Sequence, residues 1–190
     1  MTDEQEKEIK QIWDDGLADE EIYHIGKVVA HWGAIEHEIF CQTIQTFDDS
    51  STNDIELPKA MNNMSFSAVL ELWKERVVDP AKEPEQSILA EQCRKIEGLK
   101  DYRNALVHGM WDWKREQPEV VTTTRIRKKN IVTTTFNEGD LHHFYTELAQ
   151  INLLIRYPGG MREIFEERAS QGFYINEAAF RRMALEKRKK

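Results

Sequence analysis

The sequence predicts a mainly all-α protein, a helical bundle with one small antiparallel β-hairpin. Two long stretches, residues 19–47 and 85–108, repeat apolar side chains with the period of an amphipathic helix. Only residues 110–136 show the alternation and the β-branched runs that are typical of strands. A chain of 190 residues is long enough to bury one hydrophobic core. We therefore expect a single domain over 1–190.

The first half of the chain predicts three helices. An acidic helix over 3–14 precedes the long helix over 19–47, and a polar loop then leads to a helix over 65–78. Ser65 is the residue type preferred at a helix N-cap and stands in that position. The stripe of the long helix comprises Ile25, Val29, Trp32, Ile39 and Thr43, with Val28, Ile35 and Phe40 beside it.

The helix predicted over 85–108 carries a charged residue on its apolar side. That side comprises Leu89, Cys93, Ile96, Leu99, Leu106 and Val107. Arg103 falls in the middle of the same stripe at roughly 100° per residue. A buried arginine must be paired and hydrogen-bonded, so we expect an acidic partner for it. Gly109 marks the helix end, because glycine is preferred just past a C-terminus, and His108 then lies in the last turn.

The second half contains the hairpin and a helical extension. Residues 110–136 form the predicted β-hairpin insertion, with the turn at residues 128–130. Helical periodicity returns over 140–157, which is the last long core helix. A short helix over 161–168 and a basic tail helix, for which Asn176 is a candidate N-cap, form a C-terminal extension over 161–190.

Composition argues against a membrane protein and against a disulfide-stabilised fold. The chain has no apolar run of about 18 residues, and its acidic N-terminus lacks the hydrophobic region of a signal peptide. Cys41 and Cys93 both lie in helical apolar patterns and are interpreted as core thiols. These features predict a cytoplasmic protein.

Charge is distributed unevenly along the chain. The net charge is −8, which by itself argues against binding to nucleic acid. The first 90 residues, however, hold 7 basic and 20 acidic side chains, whereas the last 100 hold 19 and 14. This asymmetry permits a basic surface on an acidic protein, although two simply solvated halves would have the same composition.

Arg103, Asn104 and His108 form an Arg-Asn-x-x-x-His segment at a predicted helix end. The segment resembles the active motif of the HEPN superfamily (higher eukaryotes and prokaryotes nucleotide-binding domains), which lies at a helix end in a small all-helical bundle. The resemblance implies a metal-independent endoribonuclease that cuts RNA as a homodimer and uses no cofactor. It also implies a toxin or an anti-phage defence effector, with an antitoxin or another regulatory protein as partner.

The residue types of this motif suit metal-free RNA cleavage. A histidine such as His108 can transfer protons near neutral pH, and an arginine such as Arg103 fits a phosphate through two hydrogen bonds. Residues five apart lie about 140° apart around a helix, so Arg103 and His108 do not share a face. Asn104 and His108 do share one, and Asn104 is interpreted as an orienter of the imidazole or a phosphate ligand. A symmetric dimer would bring two copies of each residue to one cleft.

Glu36 is the predicted partner of Arg103, because it interrupts the apolar stripe of the helix over 19–47. It either positions Arg103 for catalysis or joins the acid–base set, or it forms a buried ion pair that only fixes the helix register. On the last interpretation Arg103 is a structural cation and His108 only ends its helix. The protein would then be a non-catalytic HEPN-like module that dimerises and binds a nucleotide or a partner protein.

Five further residues are candidates for binding RNA. Tyr102 either stacks on a base or is an aromatic at the core boundary. Arg125, Arg127, Lys128 and Lys129 lie near the hairpin tip, where they either contact phosphates or prevent association of strand edges. The histidine spacings match no zinc site, so no metal is predicted.

Overall fold

The chain folds into a helical bundle with a small sheet inserted before its last long helix. The computed structural model describes residues 2, 16–47, 61 and 64–170, so the helices predicted over 3–14 and from Asn176 lie outside the described residues. The elements in chain order are α1 (Asp19–Gln45), α2 (Phe66–Trp73) continued by a π-helical segment (Lys74–Val78), α3 (Glu85–His108), β1 (Met110–Lys114), β2 (Gln117–Arg127), β3 (Asn130–Asn137), α4 (Glu138–Arg156) and α5 (Met161–Ser170).

The hydrophobic core lies where α1 meets α4, with α2 and α3 closing its sides. Its largest fully buried side chains are Trp32, Trp73, Ile35, Ile39, Leu70, Leu89, Ile96, Leu141, Leu148, Ile151, Ile155 and Val28. Each long helix also keeps a polar face, and no helix in the described part of the chain is long and apolar enough to cross a membrane. The mainly helical class predicted from the sequence is confirmed.

The buried face of α1 is rotated from the predicted stripe. Val28, Trp32, Ile35 and Ile39 are buried, whereas Val29 is 48% exposed, so its assignment to the stripe is wrong. Two adjacent valines lie about 100° apart on a helix, and either could join an apolar stripe of this width. Packing against α4 selects Val28.

The buried face of α3 changes direction near its C-terminus. Leu106 is buried as predicted, but Val107 is 40% exposed and its place on the stripe is wrong. Ala105, on the other side of the helix, is buried instead. The reason is that β2 packs against the end of α3 and covers a face that is free in the earlier turns.

The two cysteines have different surroundings. Cys93 is buried, and its burial, with a smaller contribution from Glu97, raises the pKa of the thiol to about 11. Cys41 is half-buried, and its Sγ lies 3.5 Å from Nε2 of His37. The prediction of a core thiol is therefore confirmed for Cys93 and wrong for Cys41.

The inserted sheet has three antiparallel strands in the order β1-β2-β3, so β1 extends the predicted hairpin. Arg127 pairs with Asn130, and the turn between β2 and β3 therefore consists of Lys128 and Lys129 alone. Both lysines have positive φ angles, 46° and 70°. These values are those of a two-residue hairpin turn that favours asparagine and glycine.

The sheet leads directly into the last long helix. The side chain of Asn137, the last residue of β3, accepts a hydrogen bond from the backbone N–H of Asp140 at 2.8 Å. The carboxylate of Asp140 accepts one from the backbone N–H of Asn137 in return. This reciprocal cap begins α4 at Glu138, two residues before the start predicted from periodicity, which does not detect caps.

The first testable prediction concerns the turn. Replacing Lys128 and Lys129 by Asn and Gly should raise the free energy of unfolding by about 1 kcal/mol, because it removes side-chain strain at positive φ. Urea denaturation measures this change. The matched control, Lys128→Ala with Lys129→Ala, removes the same charges but keeps the strain and should not stabilise. Equal stabilisation by both pairs would attribute the effect to charge and contradict the prediction.

Candidate active site

Arg103 of α3 and Glu36 of α1 face each other across the bundle, as the sequence predicted. The Nη2 atom of Arg103 lies 3.6 Å from Oε1 of Glu36. The two side chains are 24% and 33% exposed, so the pair is half-buried rather than buried. Glu36 lies at the edge of the buried face of α1, one residue after fully buried Ile35. One side of the ion pair is therefore open to solvent and to a ligand.

The indole of Trp32 holds the Glu36 carboxylate in place. Its Nε1–H donates a hydrogen bond of 2.6 Å to the same Oε1 atom that faces Arg103. The Arg103 guanidinium also lies 5.7 Å from the centre of the Trp32 ring, within range of a cation–π interaction. Sequence reasoning counted Trp32 only as a core residue. Its spacing of four from Glu36 on one helix is the signal that could have identified the contact.

Asn104 is directed at Arg103 rather than at the imidazole. Its side-chain oxygen accepts a hydrogen bond of 3.0 Å from Nη1 of Arg103. The guanidinium is thus held by a carboxylate, an amide and an aromatic ring. We call Trp32, Glu36, Arg103 and Asn104 the guanidinium cluster. Three of the four predicted catalytic residues belong to it.

His108 is the fourth predicted catalytic residue and lies outside the guanidinium cluster. It is exposed at the last position of α3. Within the described part of the chain, no hydrogen bond or ion pair engages its side chain, and its ring is free to contact a ligand or another chain. Within this single chain, therefore, no hydrogen bond or ion pair joins the imidazole to the guanidinium cluster.

Gly109 sets the direction in which the chain leaves α3. The helix ends where predicted, but Gly109 has φ −83° and ψ 151°, an extended conformation that needs no glycine. The requirement is steric, because an added Cβ would lie 2.5 Å from the Ala105 carbonyl oxygen and 2.6 Å from Cβ of Thr123. This close approach joins the end of α3 to β2 and so positions His108.

The five predicted RNA-binding residues separate into three groups. The Tyr102 ring packs edge-on against Phe136 and Phe144, on a side of α3 different from that of Arg103. A rotation of about 100° per residue separates these neighbours in sequence.

Arg125 and Arg127 reach back to Asp101 of α3 instead of extending from the hairpin tip. Lys128 and Lys129 are exposed at the tip, as predicted. The two arginines therefore have an acidic partner on α3, whereas the two lysines form the exposed turn.

Two histidines that lie far apart in sequence, His24 and His142, meet between α1 and α4. The buried ring of His24 stacks on Tyr145 at 5.4 Å and contacts His142 edge-on at 5.6 Å. Its Nε2 lies 3.9 Å from a carboxylate oxygen of Glu138. These contacts are aromatic packing, and the described residues contain no group of three or more potential metal ligands.

No protein-family model matches the chain, no curated protein matches it, and no solved structure matches it.

The second testable prediction compares two glycines of the same region. Gly109→Ala should destabilise the fold by about 2 kcal/mol or more, because the added methyl overlaps backbone and Thr123 atoms. Gly98→Ala is the control, since a Cβ there meets nothing within 4 Å. It lies inside α3 and should stabilise by up to about 1 kcal/mol. Thermal or urea unfolding measures both changes, and a harmless Gly109→Ala would contradict the close-approach argument.

Proposed function

We propose that this protein is a metal-independent endoribonuclease of the HEPN type that acts as a homodimer. The observation that carries the proposal is the guanidinium of Arg103, held by Glu36, Asn104 and Trp32 five residues before exposed His108 ends the helix. An oriented cation with one open side suits binding of a phosphate whose charge increases in the transition state. An exposed imidazole at the end of the same helix suits proton transfer.

The proposed reaction needs no group beyond the side chains of two protomers. A base removes the proton from the ribose 2′-hydroxyl, whose oxygen then attacks the adjacent phosphorus. The 5′-oxygen of the next nucleotide leaves and takes a proton from an acid. The products are a 2′,3′-cyclic phosphate and a 5′-hydroxyl. Arg103 stabilises the charge on the phosphorane, while His108 of one protomer acts as base and His108 of its partner acts as acid.

Exposed apolar side chains beside His108 support a dimer. Val107 is 40% exposed and Met110 is 80% exposed, and both lie within two residues of the imidazole. Burying them against a second copy would remove apolar surface from water at about 25 cal/mol per Å². The same contact would bring two imidazoles and two guanidinium clusters together, which supplies the acid and the base that one chain lacks.

The resemblance extends the proposal to biological context. Under it the protein is a cytoplasmic toxin or anti-phage effector, controlled by an antitoxin or another regulatory protein. The exposed Lys128 and Lys129 at the hairpin tip would contact the RNA backbone.

One observation favours a second candidate function, a non-catalytic module that dimerises and binds a nucleotide or a partner protein. The guanidinium of Arg103 already interacts with Glu36 and Asn104, and the Asn104 side-chain oxygen bonds to Arg103 rather than to His108. A purely structural cation would have the same partners. Measuring RNA cleavage by variants of Arg103 and His108 distinguishes the two functions.

The third testable prediction addresses catalysis directly. His108→Ala should reduce cleavage of total RNA by at least about 100-fold, and Arg103→Ala by a similar factor, because each removes a transition-state interaction. EDTA should leave cleavage unchanged. His37→Ala, an exposed histidine on α1, is the matched control and should retain activity. Full activity of His108→Ala would contradict the nuclease proposal and favour the binding module.

Stability measurements distinguish a loss of catalysis from a loss of folding. His108 is exposed, so His108→Ala should unfold like the wild type. Arg103→Ala should change the free energy of unfolding by no more than about 1 kcal/mol, because Glu36 stays one-third exposed and keeps its hydrogen bond from Trp32. Because the proposed cleft needs His108 from both protomers, mixed dimers of wild type and His108→Ala should be nearly as inactive as His108→Ala dimers. Cleavage at about half the wild-type rate in proven mixed dimers would contradict the shared cleft.

A further inference from the structure

A second polar cleft lies between α3 and the strands β2 and β3. It has a volume of about 380 Å³ and is lined by Asp101 and Tyr102 of α3, by Arg125 and Arg127 of β2, and by a row of three threonines of β3. Next to it is a cavity of about 270 Å³ between α3, β3 and α4. The two spaces share Tyr102 and Thr135. Neither is lined by Arg103, Asn104 or His108.

Arg125 is a nearly buried cation with poor partners. Its side chain is only 14% exposed. Its contacts with Asp101, to the backbone carbonyl and to the carboxylate, are both 3.5 Å long, at the limit for a hydrogen bond. Its buried Nε–H has no acceptor among the described residues. A buried guanidinium normally has short, well-aligned acceptors, so this one keeps unused capacity for an anion.

Arg127 adds a second guanidinium to the same cleft. It binds the Asp101 carboxylate at 2.8 Å, and this hydrogen bond, reinforced by Arg125, holds the pKa of Asp101 below its usual range. One carboxylate therefore faces two guanidinium groups, and the cleft keeps an excess of one positive charge. Asp101 occupies the position that a phosphate would take, and an incoming phosphate would compete with it for both arginines.

Tyr102 joins the charged cleft to the neighbouring cavity. About half of its surface is exposed, while Phe136 and Phe144 hold the ring edge-on at 6.2 and 6.3 Å between centres. A fixed, half-exposed aromatic ring is a platform for stacking a base. The neighbouring cavity combines apolar Leu99 and Phe144 with carboxylates that can accept hydrogen bonds from exocyclic amino groups.

From these features we infer that the cleft binds one nucleotide, with its phosphate on Arg125 and Arg127 and its base on Tyr102. The site is separate from the guanidinium cluster, and the inference does not rest on the proposed nuclease activity. The ligand is a phosphate joined through one sugar to an aromatic base. Two kinds of molecule contain this unit, a free nucleoside monophosphate and an RNA strand.

The test is calorimetric titration of the full chain with each of the four nucleoside 5′-monophosphates, with inorganic phosphate and with an unphosphorylated nucleoside as comparison ligands. At least one monophosphate should bind more tightly than inorganic phosphate and more tightly than its nucleoside. A 2′-O-methyl tetranucleotide, which cannot be cleaved through its 2′-oxygen, distinguishes the sources. Binding more than about tenfold tighter than the monophosphate assigns the site to a strand, and equal or weaker binding assigns it to a free nucleotide. Absence of measurable binding by any phosphorylated ligand overturns the inference.

Variants locate the binding. Arg127→Ala, at an exposed position, should weaken monophosphate binding about tenfold or more, because a charge-assisted hydrogen bond is lost. Arg125→Ala should do the same, and Arg125→Lys, which keeps the charge, separates this effect from misfolding by retaining part of the affinity. Lys114→Ala with Arg115→Ala removes two exposed charges at the turn from β1 to β2, outside the cleft, and is the matched control. An equal loss in this control overturns the inference in favour of general electrostatic attraction.

Asp101→Asn tests the competition with the phosphate. A site built for an anion should bind monophosphate more tightly once the competing carboxylate is neutralised. A merely structural ion pair would lose stability and gain no affinity, so unchanged or weaker binding overturns the inference. His108→Ala should bind monophosphate like the wild type. If this variant loses cleavage but still binds monophosphate, the binding site and the nuclease activity have been tested independently of each other.

Discussion

The Glu36 carboxylate connects the hydrophobic core to the candidate active site. One of its oxygens accepts the Trp32 indole N–H at 2.6 Å and lies 3.6 Å from the Arg103 guanidinium. Trp32 is buried, so the position of the carboxylate is set by the packing of α1. The position of the guanidinium follows, because Asn104 and the Trp32 ring hold its other sides. A cation oriented in this way does not have to be reorganised when charge develops on a bound phosphate.

The last turns of α3 direct neighbouring residues to different parts of the fold. Arg103 points to α1, Tyr102 packs against β3 and α4, and Asp101 binds the arginines of β2. A helix rotates about 100° per residue, so three consecutive side chains reach three different surroundings. This single turn therefore separates the guanidinium cluster from the cleft that contains Arg125 and Arg127. An acidic chain can present these guanidinium groups because each site is assembled locally. Arg103 is balanced by Glu36 in the guanidinium cluster, whereas two arginines face the single carboxylate of Asp101 in the second cleft.

The sheet inserted after α3 has a structural role in both sites. The close approach of Gly109 to Thr123 holds the sheet against the end of α3. Along the same strand, Arg125 and Arg127 then come within reach of Asp101. The sheet thus determines where His108 is presented and also supplies both guanidinium groups of the second cleft.

Periodicity in the sequence was sufficient for the helices and strands between residues 19 and 170 and for the pairing of Glu36 with Arg103. Alternation, stripe position and a lone charge in an apolar face are local properties. Periodicity was not sufficient for the rotation of each helix, so Val29 and Val107 were placed in the core although both are exposed. Periodicity also did not predict the hydrogen bond between Trp32 and Glu36, or that the side chains of Arg125 and Arg127 extend towards Asp101. These features depend on which surfaces meet once α1, α3 and the sheet pack together. That choice involves residues distant in the chain, whose proximity no local pattern contains.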